Sequence, residues 1–540
     1  MHTQTLDGNQ ALAQGALAAG VEIVTGYPGS PSSKTMVHLI KIAEEGRTYA
    51  EWAVNEKVAL EMAIGASISG ARALVCLKSV GMNIAVDPLM VINLTGVKAG
   101  LVILLGDDPG AYLSQNEQDT RYIAQAAEVP LMEPATPAEG AAMMQAAFEL
   151  SETYAIPVVV RETRAFSLRS EKVAIPPPTR RPKRKRSFPK QSYRWISTSV
   201  NAIENHRRLH EKGTQIAQTF NTSPFNRREG TGNHGVIATG VTYTKLMEAL
   251  GHTIPEDLSV LKLGTIYPLP STLGTDFLRS VEKALVLEEN DPYVETWTKA
   301  MAYQAGLRVP ILGKLTGHVI REGDLNGAQI REALSKLLGR PLSASGQGEG
   351  IGKLDSQRSL CEDCPYIPMF QALKAAKEKA GVEVVITGDP GCIVRAALPP
   401  IEMLDVKYAM GNSIGLAMGI ARAGVQERAV ALVGDSSFFH SAVGGLMDAV
   451  HHQSDVLVIV LDNGSAALTG FQPHPGSGRD SLGREAPQIL VEDFARACGI
   501  HFVHVVDPDD IEHTQQVFRE GLLAQGVRLI VSRKPCPRQA

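Results

Sequence analysis

Two oxygen-bearing side chains in the last third of the chain stand where chemistry is easily placed. Asp435 follows the apolar run Ala429-Val-Ala-Leu-Val433 and Gly434, and Asn463 follows Val456-Leu-Val-Ile-Val-Leu461 and Asp462. A helix-length amphipathic piece separates the two β-branched runs, so residues 429–475 read as a βαβ unit. Strands of a parallel sheet point the same way, so both side chains arrive at one carboxyl edge, where open α/β sheets bind ligands. A carboxylate and an amide carbonyl meeting there suit Mg²⁺, a hard ion that takes oxygen ligands and usually shares a phosphate. Taken alone, a Gly-Asp after a strand is as readily an ordinary turn.

A second carboxylate is set apart by its neighbours. In the segment Glu51 to Ala66, residues Glu56, Ala59, Ala63 and Ala66 share one helical face. Small residues allow close packing, and a carboxylate entering such a region needs a partner or a raised pKa. The plainer account is a first-turn Glu favoured by the helix dipole. Upstream, the strand Val21-Glu-Ile-Val24 runs into Gly26-Tyr27-Pro28-Gly29-Ser30-Pro31-Ser32-Ser33. Its prolines stiffen this loop, its glycines let backbone approach a ligand, and Ser32 or Ser33 can cap the next helix.

The thiols form a third group. Cys361 and Cys364 make a C-x-x-C pair, Cys392 follows a strand and turn, and Cys536 follows the late strand Val527–Ser532. Four thiolates from one domain can hold a [4Fe–4S] cluster or a structural zinc. A redox dithiol is disfavoured, because the pair does not follow a thioredoxin-like strand. Cys76 and Cys498 lie in apolar contexts and read as core.

These groups must be positioned by several α/β domains, doubly wound around mostly parallel sheets. The chain has 540 residues and 44% apolar content, enough for several cores. The expected divisions are an α/β domain over 1–175, a basic Pro-rich linker over 176–230, a structural α/β domain over 231–342, a Gly-rich linker over 343–354 and a last α/β domain over 355–540. Strands recur at 73–77, 101–105, 235–240, 258–263, 284–289 and 384–389, and Gly411-Asn412 turns into a helix. The polar block Ser114 to Arg121 follows a strand end, so it either lines a site or is solvated. A net charge of −4 points to no nucleic acid or acidic membrane partner. The basic run beginning at Arg180 has no aromatic platform, which favours a solvated crossing. No apolar run approaches a bilayer span, and the N-terminus lacks a secretory pattern. Six cysteines in so long a chain make no disulfide framework, so a cytoplasmic protein is expected.

The motifs converge on one family. Thr25-Gly-Tyr-Pro-Gly-Ser-Pro-Ser-Ser33, Val54-Asn-Glu-Lys-Val-Ala-Leu-Glu61, Ser114-Gln-Asn-Glu-Gln-Asp119, Tyr267-Pro-Leu-Pro270, Gly434-Asp-Ser-Ser-Phe-Phe-His-Ser441 and Gln472-Pro-His-Pro-Gly476 occur in order. They resemble the 2-oxoacid:ferredoxin oxidoreductase superfamily, and within it the indolepyruvate ferredoxin oxidoreductase alpha subunits. The resemblance runs from about Gly8 to Cys536. It implies pyrimidine-binding and diphosphate-binding thiamine diphosphate domains at the two ends, with a transketolase C-terminal-like domain between. It also implies oxidative decarboxylation of a 2-oxoacid, with acyl transfer to coenzyme A.

By this resemblance Glu56 is the catalytic acid that hydrogen-bonds the aminopyrimidine N1′. Tyr27, Pro28, Glu56, Gly411, Asn412, Gly434, Asp435, Ser436 and Asn463 contact the cofactor, while Asp435, Asn463 and the Ser465 backbone oxygen hold Mg²⁺. Ser30, Asn116 and His440 face the substrate, and Cys361, Cys364, Cys392 and Cys536 hold one [4Fe–4S] cluster. The implied partners are a smaller beta-type subunit and ferredoxin or another acceptor, in a hetero-oligomer.

The sequence departs from the family pattern in places. It reads Cys-Glu-Asp-Cys-Pro-Tyr where relatives tend to have Cys-Pro-Gly-Cys-Pro-His. It has Ser79 after Lys78 where His is common, and Gly-Ser-Ala-Ala after Asn463. Family alpha subunits continue past the Pro-Cys into a ferredoxin domain that these residues do not include. The expected substrate is therefore an aryl or other bulky 2-oxoacid. The competing readings are a non-oxidative thiamine diphosphate decarboxylase or carboligase with structural cysteines, and a non-catalytic scaffold that kept the fold.

Overall fold

The apolar runs are strands, and their composition follows from burial on both faces. Every residue of Ala73–Lys78, Leu101–Asp107 and Val158–Thr163 is buried, as parallel strands covered by helices require. The computed structural model describes residues 2–42, 48–175, 192–342 and 359–539, with the single positions 177, 179, 188 and 190. The chain divides into two compact units, Met1–Leu354 and Asp355–Ala540. Among the described residues, no helix is long and apolar enough to cross a membrane.

The first unit contains a seven-stranded sheet. In spatial order its strands are Thr265–Tyr267, Leu131–Met132, Val158–Thr163, Leu101–Asp107, Ala73–Lys78, Ile23–Gly26 and Tyr49–Trp52. All neighbours are parallel except the first pair. A five-stranded sheet runs Ile311–Leu312, Lys283–Leu287, His234–Thr239, Leu258–Leu263 and Arg227–Gly230, and only the last strand is antiparallel. His2–Asp7 pairs antiparallel with Ser170–Ile175. The second unit is a six-stranded parallel sheet. Its order is Val406–Lys407, Val384–Gly388, Arg428–Gly434, Val456–Asp462, Val527–Arg533 and Phe502–Val506.

Two expected divisions change. Residues 231–342 are not set apart from 1–175: their strand Thr265–Tyr267 forms an edge of the first sheet. The buried Arg121 also pairs across this boundary with Glu288 and with the Glu289 and Asp291 carbonyls. The linker expected over 176–230 contains the 23-residue helix Ser199–Asn221 and the strand Arg227–Gly230. That helix buries Leu209, Ile216 and Phe220 in the core of the first unit. The basic run Arg180 to Arg186 and the Gly-rich linker 343–354 lie outside the described residues.

The first unit buries many ions. Arg121 is fully buried and bonds Asp119 and Glu288, while Arg161 bonds Asp107, Glu133 and the Asn290 side chain. Burial is the largest single influence and would raise the Asp119 carboxyl, but the Arg121 charge, the hydrogen bonds from Arg121 and the Arg161 charge together hold it below the usual range. Removing one member leaves its partners charged and unpaired. Arg121→Ala is expected to destabilise the fold by about 3–5 kcal/mol, read as a lower urea midpoint; a change within about 0.5 kcal/mol would contradict this pairing.

Glu162 is the opposite case. Neither of its oxygens has a hydrogen-bond partner, and burial, aided by the Asp7 charge, pushes its carboxyl up to about 8. The unfolded value is about 4.3, so the folded chain holds an extra proton between these two values. The contribution to stability is therefore present below about pH 4 and lost as pH rises towards 8. Glu162→Gln should stabilise the protein more at about pH 8.5 than at about pH 5. Equal urea shifts at both pH values would contradict the neutral buried acid.

Candidate active site

Arg428–Gly434 and Val456–Asp462 are adjacent parallel strands, with Gly434 opposite Leu461. Asp435 therefore meets the segment following the neighbouring strand. Its Oδ2 accepts from the N–H groups of Asn463 (3.0 Å), Gly464 (2.8 Å) and Ser465 (3.2 Å), and its Oδ1 accepts from Ser436 N–H (2.7 Å). Gly464 has φ +78°, which lets three successive N–H groups turn inward. Ser465 N–H is shared with Asn463 Oδ1, also at 3.2 Å, so the Asp and Asn oxygens converge on one point. Asn463 Nδ2 donates to the buried Tyr366 hydroxyl at 2.8 Å, which fixes how the amide faces. Burial, then the Asp435 charge, raises the Tyr366 phenol and keeps it neutral.

The surrounding groups hold this edge in place. Asp462 pairs with Arg533, whose guanidinium also grips Glu492 through two bonds. Ser465 Oγ donates to Gln539 at 3.1 Å, which ties the tail beyond Cys536 to the same edge. Gly476 N–H donates to His474 Nδ1, so a neutral His474 carries its proton on Nε2. That atom is 3.2 Å from Asp435 Oδ2, off the line of a hydrogen bond, and otherwise unpartnered. The Phe439 ring stacks on the imidazole. An all-oxygen donor set beside a buried N–H group that makes no hydrogen bond fits a Mg²⁺–diphosphate, which wants both.

His440 lies in the π-helical turn Phe438–Ala442, a distortion common at functional positions. Ser441 gives its only hydroxyl hydrogen to the Met410 carbonyl, so His440 Nδ1 must donate to Ser441 Oγ. Gly411 and Asn412 begin the helix Asn412–Arg422, as expected. The N–H groups of Gly411 and Ser413 are taken by Asp389, whose carboxyl burial pushes up to about 6. A Cβ on Gly411 would fall 2.4 Å from Ser441 Oγ, so a side chain there would disturb the His440 turn. Gly434 and Ser436 flank Asp435 and are half-buried.

In the first unit, Glu56 opens the helix Glu56–Ile68, capped by Asn55, whose side chain accepts from Val58 N–H at 2.9 Å. Glu56 is 6% exposed, and Ala59 and Ala63 are fully buried behind it. Thr25 Oγ1 donates to the Ala59 carbonyl at 2.8 Å and locks the helix to its strand. Gly81, unremarked in the sequence, lies against the acid: a Cβ there would meet Glu56 Oε1 at 2.1 Å. Tyr27 is buried and Pro28 half-buried on the loop after the strand Ile23–Gly26. Ser32 donates to the Leu77 and Gly29 carbonyls and Ser33 accepts from Gly29 N–H, so these hydroxyls brace the loop and make no helix cap.

Ser30 lines a cleft of about 60 Å³ with Lys34, Asp108 and Arg164. Arg164 packs over the Tyr112 ring at 4.4 Å, and its Nη1 is buried without a hydrogen-bond partner. Asn116 is exposed, whereas Asp119 and Arg121 of the same polar block are buried in the ion network.

Cys361, Cys364, Cys392 and Cys536 of the second unit are free and half-buried. Burial pushes the Cys364 thiol up to about 11, with Cys392, Cys361 and Cys536 adding to the rise. Cys536 and Cys361 act on Cys392 in the same way, so all four lie within electrostatic reach. A tetrahedral zinc would space its sulfurs by roughly 3.8 Å, from bonds of about 2.3 Å. Among the described residues no three of these thiols share a set with ligand atoms within 4.8 Å. Four thiols within reach of one another are a donor set that would suit an iron–sulfur cluster or a zinc ion. Cys76 is buried, as expected, and Cys498 is half-buried.

A model of the pyruvate flavodoxin/ferredoxin oxidoreductase thiamine diphosphate-binding domain matches residues 14–224, and one of the thiamine pyrophosphate enzyme C-terminal binding domain matches 371–532. Indolepyruvate oxidoreductase subunit IorA of Methanothermobacter marburgensis is 38% identical over 98% of this chain and 86% of that protein. The same subunit of Thermococcus kodakarensis is 38% identical over 98% and 85%, and that of Archaeoglobus fulgidus 33% identical over 98% and 86%. A 2-oxoglutarate:ferredoxin oxidoreductase structure from Magnetococcus marinus aligns at TM-score 0.46 and 14% identity over 58% of this chain and 61% of that chain. The chain therefore belongs to the indolepyruvate oxidoreductase IorA family, the catalytic subunits of thiamine diphosphate-dependent 2-oxoacid oxidoreductases.

Proposed function

We propose that the chain oxidatively decarboxylates an aryl or other bulky 2-oxoacid of the indolepyruvate type. The acid and coenzyme A give acyl-CoA, CO₂, a proton and two electrons. The observation that carries this reading is the convergence of the Asp435 and Asn463 oxygens at one strand edge. Thiamine diphosphate, when bound, supplies the carbon nucleophile for the 2-oxo group and accepts the charge left by CO₂. Asp435, Asn463 and the Ser465 carbonyl would hold Mg²⁺ for the diphosphate. Glu56 holds a proton at the aminopyrimidine N1′, and Gly81 keeps the space its carboxyl needs. Lys34 and Arg164 present cations beside Ser30, where a substrate carboxylate is neutralised. Tyr27, Pro28, Gly411, Asn412, Gly434 and Ser436 shape the cofactor site, and His440 faces the substrate.

Cys361, Cys364, Cys392 and Cys536 would hold one [4Fe–4S] cluster, which would supply one-electron redox chemistry. A smaller beta-type subunit and ferredoxin, or a comparable one-electron acceptor, receive the electrons in a cytoplasmic hetero-oligomer.

Glu56→Gln should bind cofactor yet lose roughly 10²–10⁴-fold in turnover; near-normal turnover would remove Glu56 from the role. Gly81→Ala is favoured by helix propensity by about 1 kcal/mol, so the variant should fold. The displaced acid should cost it at least about tenfold in kcat, and unchanged kcat would show that the contact is unimportant. Arg164→Gln should raise KM for the 2-oxoacid more than it lowers kcat, and an unaltered KM would place the carboxylate elsewhere. Cys536→Ser should lose iron and sulfide in anaerobically purified protein. Full iron content in that variant, or an iron-free parent with full activity, would contradict the cluster.

A further inference from the structure

We propose that Glu128, His206 and His210 form a binding site for a divalent transition metal, of which Zn²⁺ is the best match. Among the described residues they are the one set of three such side chains whose ligand atoms all lie within 4.8 Å of one another. His206 and His210 are four residues apart on the helix Ser199–Asn221, so they share a face, and their ring centroids are 4.3 Å apart. Both rings turn Nε2 to the same carboxylate. His206 Nε2 is 2.8 Å from Glu128 Oε1, and His210 Nε2 is 3.2 Å from Glu128 Oε2.

A tetrahedral ion with bonds of about 2.0–2.2 Å to imidazole and carboxylate spaces its donors by roughly 3.3–3.6 Å. The two Nε2–carboxylate separations, 2.8 Å and 3.2 Å, are shorter than this, and these exposed side chains would open to admit the ion. Two imidazoles and one carboxylate select a borderline ion such as Zn²⁺ over Mg²⁺. This chemistry differs from the all-oxygen set at Asp435. Three protein ligands leave a coordination position for water, consistent with half-exposed side chains.

The backbone at Glu128 adds to the case. Glu128 follows the end of the helix Arg121–Ala126 with φ +53°, at a position where glycine is the favoured residue. A side chain there is disfavoured by conformation, and what this one contributes is a carboxylate facing both histidines. The neighbouring cations do not oppose an ion, because Arg207 and Arg208 are both paired with Glu204. The metal would clip the first long helix after the basic segment to the loop at Glu128. Binding to the folded state alone would then stabilise the first unit.

The test is calorimetric titration of the full-length, untagged chain with Zn²⁺, compared with the double variant His206→Ala/His210→Ala. Thiols and catalytic carboxylates are the same in both, so the difference isolates this site. The parent should bind one more equivalent than the double variant. The single variants should weaken that equivalent at least about tenfold, since even residues supporting a ligand matter by that much. Zn²⁺ should also raise the unfolding temperature of the parent by more than that of the variant. The pair His206→Gln/His210→Gln keeps side-chain bulk and should behave like the alanine pair. Equal stoichiometry in parent and double variants, or no zinc-dependent difference in unfolding temperature, would overturn the proposal.

Discussion

The second unit depends on one buried anion. Asp435 is 3% exposed, and its charge is held by successive N–H groups from the end of the adjacent strand. A buried carboxylate without such donors would cost several kcal/mol, so the register of the two strands and the turn at Gly464 are constrained together. The same turn brings Asn463 and Ser465 beside Asp435. Tyr366 then fixes the Asn463 amide, and Gln539 draws the tail to Ser465. One interaction thus stabilises the loop and presents its oxygens to a cation.

The first unit shows the corresponding logic with larger charges. Arg121 and Arg161 are fully buried, and each joins acids from separate parts of the chain. Such networks add less to net stability than their Coulomb energies suggest, because desolvation offsets much of the gain. They do specify geometry: any wrong pairing leaves a buried charge. This explains why residues 231–342 are fastened to the first sheet. Glu56 sits on the rigid scaffold that results, with alanines behind it and Gly81 against it.

Much of this could be read from the sequence, because the relevant constraints are local. The β-branched runs marked the strands, and parallel strand ends placed Asp435 beside Asn463. Small residues at helical spacing marked the buried face behind Glu56. Contacts between distant residues could not be read this way. Tyr366 reaches Asn463 from 97 positions away, and Gly81 meets Glu56 from the next helix. His474 lay in a recognised motif, but only the Gly476 hydrogen bond shows which nitrogen faces Asp435. The helix Ser199–Asn221 reads as linker in the sequence because its buried apolar stripe is thin, made of Leu209, Ile216 and Phe220. The three-residue strand Thr265–Tyr267 is too short to show any period, so the fusion of two expected domains left no mark.

The account stands on Asp435 as the residue that ties Mg²⁺ and diphosphate to the chain. Its most direct test is calorimetric titration with thiamine diphosphate, with and without Mg²⁺, for the parent chain and a folded Asp435→Ala variant. The account predicts Mg²⁺-dependent binding by the parent and its loss, by at least about 100-fold, in the variant. Binding of equal strength and equal Mg²⁺ dependence in both proteins would contradict it.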